Sequence, residues 1–358
     1  MKNLKKKLWK RFLLSYIIVS ILPLTIAAYM AVNLISTQIE EQAKITLDKN
    51  LDAVSRHFYQ RLNHIHFYLN TLSDFLGSEL YETETEELRE ILIDIKKRDN
   101  LSFLTVVTPT GQVIARANSD LTGDQVDSGC EASFTGACFK GAAILDCAFL
   151  EAENLVDQAM VKNMLEESSP VVEKRGIALA SIVPVRNGAE GEIKAYVLGG
   201  ELLNNNSRKV DQMSDNWQGN VTIFLGNLRV ATAVRTDSGQ RAVGTVLSPY
   251  VEDVVLNQGT RYLGRSTIVD TPHLTAYDPI FSASGDVIGA IFLGIPEEPF
   301  LELKREAMLY FFAIAVFGIL LAVAISYLVL RSIKKPLQQI SQAMKNVQFG
   351  DFSHRFKD

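Results

Sequence analysis

The sequence predicts an α+β protein in which two membrane-spanning helices flank a large external domain. Two uncharged windows, Phe12 to Ile39 and Met308 to Leu330, predict the spans. A third observation is a pair of similar hairpin-like segments centred on Pro184 and Pro279, about 95 residues apart. Self-similarity at such a spacing predicts two tandem copies of one α/β module between the spans.

Both uncharged windows are long enough to be spans, because about 20 apolar residues cross a hydrocarbon core. We assign the first span to 12–35 and the second to 308–330. A cleaved signal peptide is the alternative for the first, but its apolar region is usually only about 7–15 residues long. Lys and Arg are concentrated in 1–11 and just after Leu330. The positive-inside rule therefore puts both termini in the cytoplasm and 36–307 outside.

The external domain is predicted to open with one long helix. Apolar residues recur there at steps of three or four, which predicts a single apolar stripe along one helix face. Gly77 suits the end of this helix, and Thr83 with Glu86 has capping-box spacing ahead of a second one. The stripe consists of Ala43, Leu47, Leu51, Val54, Phe58, Leu62, Ile65, Leu69, Leu72 and Leu76.

The rest of the domain is predicted to consist of hairpins. "LSFLTVV", "PTGQ" and "VIARAN" form a strand, a turn and a strand. "ASIVPVRNGAEGEIKAYVLGGEL" resembles "TAYDPIFSASGDVIGAIFLGIPE", although turn-rich hairpins can also match by chance. The first copy carries an insertion with a predicted helix of about Glu151–Glu167 and all three cysteines, Cys130, Cys138 and Cys147. A disulfide, free thiols and a redox or metal role remain open for these cysteines.

Five segments carry a family resemblance: "GEIKAYVLGGELLNNNSRKVDQM", "TIFLGNLRVATAVRTDSGQRAVGT", "YLGRSTIVD", "LTAYDPI" and "GDVIGAIFLGI". They resemble the bacterial double Cache sensors, extracytoplasmic relatives of the PAS fold. The type most similar joins a Cache 3-like distal module, here 36–210, to a Cache 2-like proximal module, here 211–300. The resemblance implies antiparallel sheets with flanking helices and a ligand pocket against one sheet face.

The tail, 331–358, resembles the start of a HAMP linker. Leu337, Ile340, Met344 and Val347 have heptad spacing. Pro336 suits a helix start just after the membrane, and Gly350 with Asp351 resembles the turn into the HAMP connector. A generic amphipathic helix is the alternative. The resemblance implies a homodimer, because HAMP helices work in pairs, and assigns signal coupling to Pro336, Gly350 and Asp351.

Several function classes are disfavoured. A net charge of −5 gives no nucleic-acid footprint. No P-loop or H-E-x-x-H motif is present, and His57 and His64 lie about 10.5 Å apart along a helix, too far for one zinc. We therefore expect no catalytic residue, no metal and no cofactor on this chain, and no enzymatic activity of its own.

With these function classes disfavoured, ligand binding is the function that we expect for the external domain. Small polar ligands need a few convergent charged or hydrogen-bonding groups, and the guanidinium fork suits a carboxylate. The double Cache resemblance likewise implies carboxylates, amino acids or other small metabolites. An Arg-x-x-Trp-Tyr signature is absent, and the alternative for each arginine is an ordinary surface residue or salt bridge. The candidates are Arg116, Asn118, Arg175, Arg235, Tyr262, Arg265, Tyr277 and Asp278.

The sequence thus leads to the input unit of a multi-pass receptor in a bacterial cell membrane. Its expected partners are a small extracytoplasmic molecule, a second copy and a cytoplasmic output domain or response regulator. The resemblance favours a histidine kinase as the output. A chemotaxis transducer, a diguanylate cyclase and a binding protein without output are the alternatives.

Overall fold

We analysed a computed structural model. It describes residues 2–79, 84–126, 139–162, 172–188 and 191–348. The predictions for Cys130, Cys138, Gly350 and Asp351 fall outside these residues. The chain divides into two compact units, one of 1–42 with 298–358 and one of 43–297.

The unit that joins 1–42 with 298–358 is helical over its described residues. Helix α1 begins at Lys2 and continues to Glu79 in the second unit, and helix α7 is Glu298–Gln348. Among the described residues, the 30-residue segment Phe300–Val329 is long and apolar enough to cross a membrane; the first predicted span stays a prediction. Pro336 does not start a helix as expected but lies inside α7. An internal proline removes one backbone hydrogen bond, and the helical pattern on both sides continues through it.

The second unit is organised around the α1 stripe. All ten predicted stripe residues are buried, which confirms the helical periodicity. Gly77 does not end the helix, which continues to Glu79. Its missing side chain instead leaves room for the carbonyl of Arg186, which would clash with a Cβ.

From here on we use the name distal module for 85–206, the part of the predicted 36–210 that follows α1. Its described residues form a five-stranded antiparallel sheet, three helices and a small strand pair. Its helices are α2 (Thr85–Arg98), α3 (Cys147–Ala152) and α4 (Val156–Ala159). Its sheet strands are β1 (Phe103–Val107), β2 (Val113–Arg116), β3 (Phe139–Leu145), β6 (Gly176–Arg186) and β7 (Ile193–Leu202). The strand pair is β4 (Val161–Lys162) with β5 (Val172–Glu173).

From here on we use the name proximal module for 207–297, in place of the predicted 211–300. It contains the second five-stranded antiparallel sheet. Helix α5 (Ser207–Trp217) precedes it, and α6 (Pro249–Glu252) continues directly into a π-helical turn over Asp253–Asn257. The strands are β8 (Asn220–Leu225), β9 (Leu228–Thr232), β10 (Tyr262–Ile268), β11 (Thr271–Phe281) and β12 (Val287–Pro296).

The two sheets have the same connectivity. Their orders are β2-β1-β7-β6-β3 and, read from the opposite end, β9-β8-β12-β11-β10. The two similar sequence segments form the β6–β7 and β11–β12 hairpins, and each hairpin has a register shift one to two residues after its proline, Pro184 or Pro279. The shared sequence pattern therefore corresponds to a shared local structure.

The helix predicted over Glu151–Glu167 was wrong in its described part. Residues 147–162 form instead the short helices α3 and α4, followed by β4. Asn154 lies between the helices in the left-handed region, with φ of 53°. Asn tolerates that conformation better than most residues, so it ends α3 where the apolar pattern alone suggests continuation.

Helix α1 covers one face of each sheet. In the distal module, His66 Nδ1 lies 2.8 Å from the Ser181 hydroxyl, and Leu69 packs over Gly199. In the proximal module, the Ser55 hydroxyl donates to Asp278 at 2.7 Å. The opposite face of each sheet is therefore available for the remaining helices and loops.

A candidate ligand-binding face on the proximal sheet

The face of the proximal sheet that is turned away from α1 is unusually polar. Strand register identifies its members, because residues paired across antiparallel strands share a face. Phe224 is opposite Arg229 and Ala290, and Tyr277 is opposite Tyr262 and Phe292. Together with Phe224, Arg229, Tyr262, Tyr277, Ala290 and Phe292, the face carries Thr222, Thr232, Gly264, Ser266, His273, Thr275 and Gly294.

Residues 233–257, which we term the cover, lie over this face. Five of their apolar side chains form one buried cluster with Phe224, Tyr277 and Phe292 of the sheet. These five are Val234, Ala242, Leu247, Val251 and Val255. The cover ends in the π-helical turn, an irregularity that is frequent at functional sites.

Arg229 is the most unusual residue of the face. A register shift between Ile223 and Phe224 places it opposite Phe224, and only 4% of it is exposed. Its Nε is buried without a hydrogen-bond partner. Among the described residues, no carboxylate forms an ion pair with its guanidinium, whose central carbon lies 5.3 Å from the centroid of the Phe224 ring.

Arg229 nevertheless keeps its charge at neutral pH. Burial lowers its pKa to about 10, still well above 7. A buried charge is unfavourable unless it is paired. The Phe224 ring offers a cation–π contact, which is worth only about 0.5–2 kcal/mol. The polar face therefore contains a positive charge that no described acid neutralises.

The groups around Arg229 are aromatic or uncharged. The Tyr277 ring lies 4.8 Å from that of Phe292 and 5.9 Å from that of Tyr262. Burial raises the pKa of Tyr277 to about 12, so its phenol stays protonated. Burial, with a smaller contribution from Arg229, lowers the pKa of His273. At neutral pH the face thus offers hydroxyls, an imidazole and one guanidinium.

The distal module provides an internal comparison. Its buried arginine, Arg116, is 1% exposed but fully paired: its guanidinium donates to both oxygens of Asp124 at 2.6 and 2.7 Å and to Glu153 at 2.9 Å. The same guanidinium also donates to the carbonyl of Leu121. The two buried arginines lie on similar sheets, but Arg116 has acidic partners and Arg229 has none among the described residues.

The three distal candidates all have structural partners. Asn118 accepts a hydrogen bond from Lys96 and donates one to the carbonyl of Ser102. Arg175 pairs with Glu173 two residues away and is 56% exposed. With Arg116 held by Asp124 and Glu153, none of the three carries an unpaired charge.

Four of the five proximal candidates lie on the two faces of the sheet, and the fifth lies in the cover. Tyr262 and Tyr277 lie on the polar face beside Arg229. Arg265 lies on the outer side of β10 and pairs with Glu297 at 2.7 Å. Asp278 faces α1, where it accepts from Ser55 and Arg261. Arg235 donates to the carbonyl of Gly239 in an exposed turn of the cover.

Arg229 was missed in the sequence, although a signal was present. It is the single charged residue in "TIFLGNLRVATAV", a run whose apolar density predicts a buried strand pair. Lys, Glu, Arg and Asp are almost never fully buried unless paired. A lone arginine inside such a run therefore marks either a salt bridge or a binding site.

A salt bridge fastens the cover to helix α5. Arg241 in the cover donates to both oxygens of Asp211, at 2.8 and 2.6 Å, and to the carbonyl of Thr232 at 2.7 Å. Arg241 holds the pKa of Asp211 below its usual value. The pairing therefore persists above the ordinary aspartate pKa and is lost as pH falls through the lowered one.

We predict that Arg241→Ala loosens the cover without unfolding the domain. Half-exposed pairs contribute about 0–1 kcal/mol, so global stability changes little. Amide hydrogens of 233–248 exchange faster in the variant, as measured by hydrogen–deuterium exchange of the full chain. Arg235→Ala is the comparison variant, because the Arg235 side chain donates its hydrogen bond to the Gly239 carbonyl in its own turn and acts on Asp211 through charge alone. Equal exchange in both variants would show that the Arg241–Asp211 pair does not hold the cover.

One family profile matches part of the chain. The sequence profile of the family described as Single cache domain 3 matches residues 201–307. That range includes the proximal module, for which a Cache 2-like type was expected, so the subtype differs from the expectation. No curated protein matches the chain.

Among solved structures, the chain is similar to the periplasmic domain of Vibrio cholerae LuxQ (TM-score 0.40, 11% identity, covering 71% of this chain and 98% of that one). It is also similar to the sensor domain of the V. cholerae histidine kinase DctB (TM-score 0.39, 11% identity, covering 72% and 98%). A third is a structure named Methyl-accepting Chemotaxis protein X (TM-score 0.41, 14% identity, covering 72% and 99%).

Proposed function

We propose that this chain is the sensory input unit of a bacterial transmembrane receptor, and that it binds a small extracytoplasmic molecule on the polar face of the proximal sheet. The observation that carries the proposal is the unpaired, buried Arg229 inside a segment that matches a Cache domain profile. A structural arginine would have counter-charges, as Arg116 has. A buried guanidinium that lacks a counter-charge and is surrounded by aromatic side chains is typical of a ligand-binding site.

The shared connectivity of the two sheets supports a double Cache arrangement. Its distal module neutralises its own buried arginine, whereas its proximal module does not. We therefore assign ligand binding to the proximal module and a structural or relay role to the distal one. A second copy of the chain is the expected partner, because the tail resembles a HAMP linker.

The proximal module is joined directly along the chain to the predicted second span. β12 ends at Pro296, and α7 begins at Glu298 and passes through the apolar segment Phe300–Val329 into the heptad segment. Ligand binding can bias two states of such a unit only by its differential affinity for them. A histidine kinase is the output that we expect, on the strength of the sequence resemblance.

A reporter fusion tests the sensory role. The full chain is joined after Asp358 to the cytoplasmic half of a sensor kinase, with one fusion for each register of a heptad. At least one register is expected to change reporter output with a compound that also raises the melting temperature of the purified chain. A compound that binds but leaves the reporter unchanged in every register would instead support a binding protein without output.

Topology is tested separately, with cysteine labelling in cells. Cys130, Cys138 and Cys147 are replaced by serine, and Ser238→Cys is introduced in the exposed turn of the cover. We predict that a membrane-impermeant maleimide labels this cysteine in spheroplasts. A Ser353→Cys control in the tail should be labelled only after permeabilisation. The reverse pattern would contradict an external proximal module.

A further inference from the structure

The unpaired guanidinium also defines the charge of the ligand. Arginine presents five N–H donors, and the buried Nε of Arg229 has no hydrogen-bond partner among the described residues. A carboxylate matches this fork with two parallel hydrogen bonds. An uncharged molecule would leave the buried charge uncompensated, so an anion is the group that the face requires.

The number of charges on the face limits the ligand to one carboxylate. Four other arginines occur between Gly219 and Glu297, and that stretch contains no lysine. Arg241, Arg261 and Arg265 are paired with acids, and Arg235 lies in the exposed turn. A dicarboxylate would therefore bring a second charge with no counterpart on this face.

A zwitterion is disfavoured for the complementary reason. The described residues of the polar face include no carboxylate, and Asp278 is turned to the α1 side. The cover has three acids: Asp237 lies in its exposed turn, Glu252 accepts a hydrogen bond from Asn227, and Asp253 accepts from Asn257 and Gln258. The ammonium group of an amino acid would thus find no carboxylate on the sheet face itself.

The other side chains of the polar face and the cover indicate the chemistry of the rest of the ligand, beyond its carboxylate. Phe224, Tyr262, Tyr277 and Phe292 present rings, and the cover adds aliphatic side chains. Such a lining binds an apolar or flat body, while hydroxyls fix its orientation. We propose, as a refinement that rests on the proposed function, that Arg229 anchors a small monocarboxylate whose body is a short aliphatic chain or an aromatic ring.

The test compares charged and neutral isosteres on the full chain in detergent micelles. Propionate, butyrate and benzoate are titrated against propionamide, butyramide and benzamide, with succinate and alanine as further probes. At least one monocarboxylate is expected to raise the melting temperature saturably and to bind about ten- to a hundredfold more tightly than its amide. Succinate and alanine are expected to bind as weakly as the amides.

Variants assign the effect to Arg229. Arg229→Gln is expected to weaken monocarboxylate binding about ten- to a hundredfold, while Arg235→Gln, the control, leaves it unchanged. If Arg229→Gln does not fold, Arg229→Lys serves, because it keeps the charge but loses the two-pronged geometry; an intermediate loss is then expected.

Other outcomes would overturn this refinement. The refinement would be wrong if the amides bind as tightly as the acids or if succinate or alanine binds preferentially. It would also be wrong if no monocarboxylate binds or if Arg229→Gln leaves binding unchanged. The proposed function would survive all four, provided that some other compound both binds and switches the reporter fusion. A chain that binds compounds but never changes the reporter would contradict the function instead.

Discussion

Replacing Arg116 with methionine is expected to lower the free energy of unfolding by about 3–5 kcal/mol, the typical loss when one partner of a buried ion pair is removed. Arg116 is the shared partner of Asp124 and Glu153, and Glu153 is fully buried. Without the guanidinium, the Glu153 carboxylate would have Thr105 as its remaining hydrogen-bond donor among the described side chains. Urea unfolding of the full chain, followed by circular dichroism, measures the loss.

The loss should depend on pH. Burial already raises the pKa of Glu153, and removing Arg116 raises it further. A carboxyl group with a raised pKa favours folding at low pH, where it is protonated, and opposes folding at higher pH. The defect of Arg116→Met should therefore shrink as the pH falls. Arg175→Met, which removes an exposed pair, is the control and should cost less than about 1 kcal/mol. Similar losses in both variants would contradict the assigned roles.

Replacing Arg229 with methionine is expected to do the opposite and to raise the stability of the ligand-free protein by about 1–3 kcal/mol. That is the typical penalty of a buried polar group without a partner, and methionine fills a similar volume without a charge. The same unfolding assay measures the gain. Arg229→Lys, which keeps a positive charge, should give no such gain. A loss comparable to that of Arg116→Met would show that Arg229 already has a strong partner in the folded chain.

If both results are obtained, their opposite signs would support the ligand site that we propose at Arg229. Functional sites commonly carry groups that reduce stability until their ligand arrives. We expect Arg116 to increase the stability of the distal module, because acids within the fold balance its charge. We expect Arg229 to lower the stability of the proximal module, and the proposed anionic ligand to offset that loss.

Much of the fold could be predicted from local patterns. The α1 stripe is strictly periodic and its burial depends on that period alone. The two hairpins share prolines and glycine-rich turns, and turn chemistry acts over a few residues. The break between α3 and α4 was missed, because it depends on one left-handed residue, Asn154, within an otherwise helical pattern.

The site could not be predicted in the same way. Arg116 and Arg229 both lie in short apolar strands, and the sequence around them does not distinguish their roles. Arg116 is neutralised by acids 8 and 37 residues away in the chain, brought close only by the tertiary fold. Asp278 and Arg265 are near Tyr277 and Tyr262 in sequence, but strand alternation turns them to other surfaces. Only Tyr262 and Tyr277 of the eight candidates share the polar face with Arg229.

The most direct test of the central claim, that the proximal module binds the ligand, is hydrogen–deuterium exchange of the full chain. The exchange is recorded with and without a saturating mixture of propionate, benzoate, propionamide and benzamide, so that acids and neutral isosteres are both present. We predict slower exchange in the cover, 233–257, and in β9, with the distal segment from Arg116 to Ala159 unchanged. Protection confined to that distal segment would contradict the assignment, and no protection anywhere in the chain would contradict the monocarboxylate refinement.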